Sequence, residues 1–139
     1  MAAVSRMDHV GLNVSDLETM SDFYVQAFGY QEQVRFRLDE LDLGIVMLVD
    51  DDGRRFELLA RSEGTPGLRA ATPAEAAGTW GFGHVAFRVA DLPETFARLL
   101  ALGATEVSDP RPSPEPGFDF AWVHDPEGNL VELIAPRPA

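Results

Sequence analysis

Apolar side chains at Leu17, Met20, Phe23, Tyr24, Ala27 and Phe28 recur at steps of three and four residues. That spacing predicts a helix with one buried face. Ser15 or Asp16 stands where an N-cap belongs, Glu18 places an acid in the first turn, and Gly29 suits a left-handed C-cap. On either side the helical period gives way to short runs rich in β-branched and apolar residues. These predict strands at His9–Val14, Gln31–Leu38, Leu41–Val49 and Arg54–Ala60, with Asp51-Asp52-Gly53 as the turn before the last. The plan then starts again. A strand at Gly83–Val89 precedes a helix from Asp91 to Leu102, with Pro93 in its first turn and Gly103 as its cap. Strands follow near Thr105–Val107, at Phe118–His124 and at Leu130–Ala135, the last entered through the turn Asp125-Pro126-Glu127-Gly128. Each half therefore reads β-α-β-β-β, and the fold class is α+β.

The two halves are copies. His9 falls on His84 (84 − 9 = 75), and the same offset carries Val10 onto Val85, Val14 onto Val89, Asp16 onto Asp91 and Leu17 onto Leu92. Far downstream it carries Asp50 onto Asp125, Gly53 onto Gly128, Glu57 onto Glu132 (132 − 57 = 75) and Leu58 onto Leu133. A repeat this long is a duplicated supersecondary unit rather than a solenoid repeat. The modules are placed at 4–60 and 83–136, with 61–82 as a linker rich in Gly, Pro, Thr and Ala and one turn of helix at Pro73–Ala77. Asp109–Gly117 carries four prolines and is expected to be a semi-rigid loop, since proline donates no ladder hydrogen bond.

Composition narrows the partners. With 45% hydrophobic residues the 139-residue chain can build a core. Its net charge of −12 repels phosphate backbones and anionic lipid, so neither nucleic acid nor a membrane surface is expected as a partner. The absence of cysteine removes disulfides, thiolate ligands and a thiol nucleophile together. No apolar stretch resembles a signal peptide or a membrane span, so the expected location is the cytoplasm.

The chemistry sits where the repeat is sharpest. Taken singly, a strand histidine or glutamate reads as an ordinary core or surface residue. Taken together, His9, Glu57, His84 and Glu132 are two identical pairs, each glutamate centred in an apolar strand where an unpartnered charge is costly. Duplication relates the halves by an approximate two-fold, which can bring both pairs around one point. Two imidazoles and two carboxylates suit one divalent Ni, Co, Zn, Mn or Fe ion. Four protein ligands in an octahedral shell leave two positions for a substrate offering neighbouring oxygens. The ion would then stabilise an enediolate, and Glu57 or Glu132 would move the proton.

Weaker candidates surround these four. Asn13 shares the side-chain parity of His9. Arg61 follows Glu57 by four residues and could meet an anionic substrate. Phe120 and Trp122 share a parity with Phe118 and could line a pocket, though they read equally well as core. His124 has no partner in the first half and reads as a neighbour of the turn. Gly81-Phe82-Gly83-His84 is a flexible strand entry, not a phosphate loop, because no helix follows it.

Asp8-His9-Val10-Gly11-Leu12-Asn13-Val14-Ser15-Asp16-Leu17, followed by Phe23-Tyr24 and Phe28-Gly29, resembles the opening of the glyoxalase/bleomycin-resistance/extradiol-dioxygenase superfamily, the vicinal oxygen chelate proteins. Gly83–Phe87 is similar to the start of that family's second module, and Asp125-Pro126-Glu127-Gly128-Asn129 with Val131–Ile134 to its end. The resemblance implies paired βαβββ modules that form a cupped mixed sheet around a metal. The His/Glu/His/Glu pattern is similar to glyoxalase I, the lactoylglutathione lyase, which implies a metal-dependent lyase or isomerase. The linker would let the modules pair within one chain or with the opposite module of a second chain; the resemblance implies the latter, a homodimer in which His9 and Glu57 of one chain face His84 and Glu132 of the other. Asn13 and Arg61 depart from the bacterial glyoxalase I pattern, which points away from glutathione rather than from the metal. Other members imply other functions: a metal-free protein that binds a drug or natural product, a methylmalonyl-CoA epimerase, or an extradiol dioxygenase.

Overall fold

A computed structural model describes residues 3–138. Two compact units meet at a boundary between Gly64 and Thr65. The first is built from β1 (His9–Asn13), α1 (Leu17–Phe28), β2 (Gln31–Leu38), β3 (Leu43–Val49) and β4 (Arg55–Ala60). Its four strands form one mixed sheet in the order β1-β4-β3-β2, with β1 parallel to β4 and the other pairs antiparallel. The fold class is therefore the α+β arrangement of βαβββ modules expected from the repeat.

Alternation along β4 decides what each face does. Phe56 and Leu58 are buried and face α1, where the Tyr24 ring meets Phe56 edge-on at 4.9 Å between centroids. Met20, Tyr24, Val46, Leu48 and Leu58 are fully buried there, each contributing roughly 1.5–3 kcal/mol by its removal from water. The residues between them, Arg55, Glu57 and Leu59, rise from the opposite face. Asp16 caps α1 by accepting from the Thr19 amide at 3.0 Å, and Gly29 ends it at φ 74°.

The second unit repeats the plan. A short α2 (Pro73–Ala76) precedes β5 (Val85–Arg88), α3 (Leu92–Ala101), β6 (Thr105–Pro112), β7 (Phe118–His124) and β8 (Leu130–Pro136). The sheet order is β5-β8-β7-β6, with β5 parallel to β8. Asp91 caps α3 as Asp16 caps α1, but the C-cap of α3 is Leu102, and Gly103 follows it at φ 110° instead of serving as the cap itself. From Thr65 onward the linking stretch packs with this sheet. Ala70, Ala76, Trp122 and Leu130 form one buried apolar cluster, and His124 Nε2 lies 2.8 Å from the Ala70 carbonyl. No helix among the described residues is long and apolar enough to cross a membrane.

One expectation needs correcting. Asp109–Pro112 is not loop but the end of β6, with Arg111 paired to Phe120 and Pro112 to Asp119. Edge position and irregular register permit it. β6 borders only β7, so a missing amide donor on its free side costs no ladder bond, and Pro110 falls within a register shift between Ser108 and Arg111.

The turn that feeds each final strand is built twice. Asp125 is buried and accepts from the amides of Glu127 and Asn129, each at 2.9 Å, and from the Asn129 side chain at 2.9 and 3.1 Å. Asp50 accepts from the amides of Asp52 and Arg54 at 2.9 and 2.8 Å, in a more exposed setting. Gly128 and Gly53 take the matching positive φ of 88° and 80°. Asp125→Ala should strand several partly buried donors at once and lower stability by about 3 kcal/mol in urea unfolding. Asp50→Ala should cost roughly a third of that, because water can replace the lost acceptor.

Candidate metal centre

Strand register places each glutamate at the same level of its sheet. Glu57 lies between Gly11 of β1 and Met47 of β3, and Glu132 lies between Ala86 of β5 and Trp122 of β7. Both carboxylates stand on the face without the long helix, and both are mostly buried, with side chains 19% and 15% exposed. His9 opens β1, and its Nε2 lies 3.7 Å from Glu57 Oε1. His84 stands one residue before β5, and its Nε2 lies 3.3 Å from Glu132 Oε2. The four repeat-selected residues are thus brought together two by two, one pair in each unit. Among the described residues, no three His, Asp or Glu side chains converge as a metal-holding group.

The pairs fit a divalent cation. A good N–H···O bond is about 2.9–3.0 Å, and both separations are longer. Adjacent donors on an ion with bonds of about 2.1 Å stand roughly 3 Å apart, and a carboxylate and an imidazole nitrogen at 3.3–3.7 Å need little movement to reach it. In the first unit the case is stronger. His9 Nδ1 lies 2.7 Å from Asp8 Oδ2, and Asp8 is itself held by Arg55 Nη1 at 2.9 Å. The hydrogen bond to His9, and then the charge of Arg55, hold the Asp8 carboxyl below its ordinary value, so it is an acceptor only. His9 therefore meets Asp8 through an Nδ1–H, and it is Nε2 that faces the Glu57 carboxylate. Neutral imidazole with carboxylate is also the donor chemistry that Ni, Co, Zn, Mn and Fe share.

The second pair lies beside aromatic rings. Burial raises the Glu132 carboxyl above its ordinary value; the nearby His84 works against this, and Glu115 adds to it. The Trp122 ring meets His84 edge-on at 4.6 Å, and Phe120 stands 6.4 Å beyond Trp122. Both aromatics therefore lie on the Glu132 side of the sheet, and Trp122 belongs to the buried cluster as well. A depression of about 480 Å³ opens beside them, lined by His84, Trp122 and the fully exposed Trp80 among others.

The remaining candidates are dispersed. Asn13 ends β1 on the parity of His9 and Gly11, opposite Leu59. Arg61 lines a separate open depression of about 410 Å³ near the start of α1, with Asp42, Ser62 and Arg37 and with none of the four paired residues. Three residues of this surface escaped sequence reasoning. Asp8 and Arg55 have no counterpart at the 75-residue offset, where Gly83 and Leu130 stand, so the repeat could not select them. Arg88 was discoverable, since it is the offset partner of Asn13; it lies over the Phe118 ring at 5.0 Å, two residues along β5 from Ala86.

Gly11 explains why β1 can lie so close. A Cβ there would stand 3.3 Å from Glu57 Oε1 and 3.4 Å from Leu59 Cδ1. Gly11→Val should push the Glu57 carboxylate aside and weaken divalent-metal affinity about tenfold. Chelator competition measures the loss, and an unchanged affinity would mean that Glu57 is free to shift without consequence.

Comparison with known proteins agrees with this architecture. The family model described as Glyoxalase/Bleomycin resistance protein/Dioxygenase superfamily matches residues 6–133. A protein named "Probable lactoylglutathione lyase" from Vibrio parahaemolyticus is 24% identical over 143 residues, covering 96% of this chain and 93% of its own length. Among solved structures, a glyoxalase family protein from Bacillus cereus superposes with a TM-score of 0.80 at 23% identity, covering 99% of this chain and 97% of that one. Glyoxalase I from Zea mays gives a TM-score of 0.73 at 26% identity over 92% of this chain, which matches 45% of the larger maize protein.

Proposed function

Because the chain belongs to the glyoxalase/bleomycin resistance protein/dioxygenase superfamily, we propose that it is a divalent-metal-dependent lyase or isomerase of the glyoxalase I type. One observation carries the reading: the same His/Glu pair recurs at the same strand level in both sheets, with the donor atoms 3.7 and 3.3 Å apart. His9, Glu57, His84 and Glu132 would hold the ion. Its contribution, when bound, is Lewis acidity toward the oxygens of a small carbonyl substrate.

The chain's own groups do the rest. His9 and His84 supply neutral nitrogen donors. Glu57 or Glu132 takes the proton next to the carbonyl and returns it to the neighbouring carbon, general acid–base work worth about 10²–10⁴ in rate. Trp122 and Phe120 offer an apolar surface to the substrate beside the second pair. Glutamine at position 57 or 132 keeps an oxygen for the metal but cannot carry the proton. Of Glu57→Gln and Glu132→Gln, the variant that retains metal and loses turnover identifies the proton carrier.

The set of four ligands needs both kinds of unit. We assign them to two chains, in a homodimer whose two-fold axis pairs the first unit of one protomer with the second unit of its partner. The activity test is metal-stripped protein reconstituted with Ni or Co and given the hemithioacetal of methylglyoxal and glutathione. Metal-dependent turnover is the expected result, and inactivity with every divalent metal removes the glyoxalase assignment. The departures at Asn13 and Arg61 make an acyl-CoA epimerase assay the next one to run.

A second reading has an observation of its own. Trp80 and Phe82 are fully exposed just before His84, and Trp80 shares the 480 Å³ depression with Trp122. That surface suits a metal-free protein that binds a flat drug or natural product. Quenching of tryptophan fluorescence by a planar glycopeptide, undiminished in chelator, would favour this reading over the enzyme.

A further inference from the structure

We infer that Asp8 is a positioning residue, which fixes the His9 ring through Nδ1 so that Nε2 points at the Glu57 carboxylate. The inference rests on the metal reading for its purpose, though not for its test.

The device is a chain of polar contacts across three strands of the first sheet. Gln33 of β2 accepts from Arg55 Nε at 2.9 Å, Arg55 Nη1 donates to Asp8 Oδ2 at 2.9 Å, and the same oxygen lies 2.7 Å from His9 Nδ1. His9 and Arg55 are register partners on β1 and β4, so the guanidinium is held beside the histidine by the sheet itself. Gln33 sits in the register shift of β2, between Glu32 and Val34. Asp8 is exposed and its side chain is otherwise free to turn; the Arg55 contact gives it one direction. With the Arg55 guanidinium donating to the same oxygen, Asp8 is the acceptor, and the ring meets it through an Nδ1–H. A carboxylate behind a histidine in this way fixes the orientation of the ring and raises the basicity of the other nitrogen.

The second unit lacks the device. Gly83 stands where Asp8 does, Leu130 where Arg55 does, and His84 is positioned instead by the edge contact with Trp122. The two histidines are therefore unequal: one is preset as an Nε2 donor by a carboxylate, the other is not. His124 provides a third environment, because its Nε2 faces the Ala70 carbonyl at 2.8 Å and must carry the proton there.

Long-range nitrogen–proton correlation spectra of metal-free, ¹⁵N-labelled protein separate these states, and three histidines are few enough to assign by single substitution. Spectra are taken at mildly alkaline pH, where ordinary histidines are neutral. His9 is expected as the Nδ1–H tautomer and His124 as the Nε2–H tautomer. Asp8→Ala should return His9 to the Nε2–H form that free imidazole side chains favour in water, with His84 and His124 unmoved. The same variant should bind Co(II) about 10–100-fold more weakly by chelator competition. A wild-type His9 with its proton on Nε2, or an unaltered tautomer in Asp8→Ala, overturns the assignment. A changed tautomer with unchanged Co(II) affinity overturns its purpose. Failure of the wild-type protein to bind Co(II) at all would instead sink the metal reading, while the tautomer readout still decides the role of Asp8.

Discussion

Glu132→Ala should abolish turnover, lowering kcat/KM by at least about a thousandfold, or roughly 4 kcal/mol of transition-state stabilisation. In the proposed site the residue is one of the two donors of the second unit, and it lies between Ala86 and Trp122 with only 15% of its side chain exposed. Its loss takes a ligand and, if it is the proton carrier, the base as well. Folding should be spared. Burial already disfavours the charged form of this carboxylate, so removing it relieves a desolvation cost that offsets the lost packing. Urea unfolding of the metal-free variant should fall within about 1 kcal/mol of wild type. An inactive variant with wild-type stability places Glu132 in the chemistry; an active one removes it from the site.

The second large effect is a gain. His9→Ala and Glu132→Ala are each expected to be inactive alone, because every site lacks one ligand. In a dimer with shared sites, a mixed dimer places both lesions in one site and none in the other. After full subunit exchange half of the dimers are mixed and half of their sites are intact, so activity should return to about a quarter of wild type. Exchange is verified by mass spectrometry of differently tagged chains. A mixture that exchanges and stays inactive means that both pairs of each site belong to one chain.

What could be read in advance followed from duplication. One histidine in a strand carries little information, but His9 with His84 and Glu57 with Glu132 share an offset with the Asp50 and Asp125 turns, and strand registers then set both glutamates at equivalent levels. The helix caps at Asp16 and Asp91 and the alternation of β4 were legible for local reasons: each depends on residues a few positions apart. Two features were not. The strand at Asp109–Pro112 was hidden because proline rules depend on whether both sides of a strand are paired, and only the sheet order makes β6 an edge. The Asp8–Arg55 contact spans 47 positions and exists in one module only, so neither periodicity nor the repeat pointed to it.

The most direct test of the account is a Co(II) titration of metal-stripped protein, followed by absorbance and closed with elemental analysis. Saturation at one ion per chain is expected. So is loss of the bound-ion spectrum in each of His9→Ala, Glu57→Ala, His84→Ala and Glu132→Ala. Absence of saturable binding, or binding that survives all four substitutions, would contradict the metal reading.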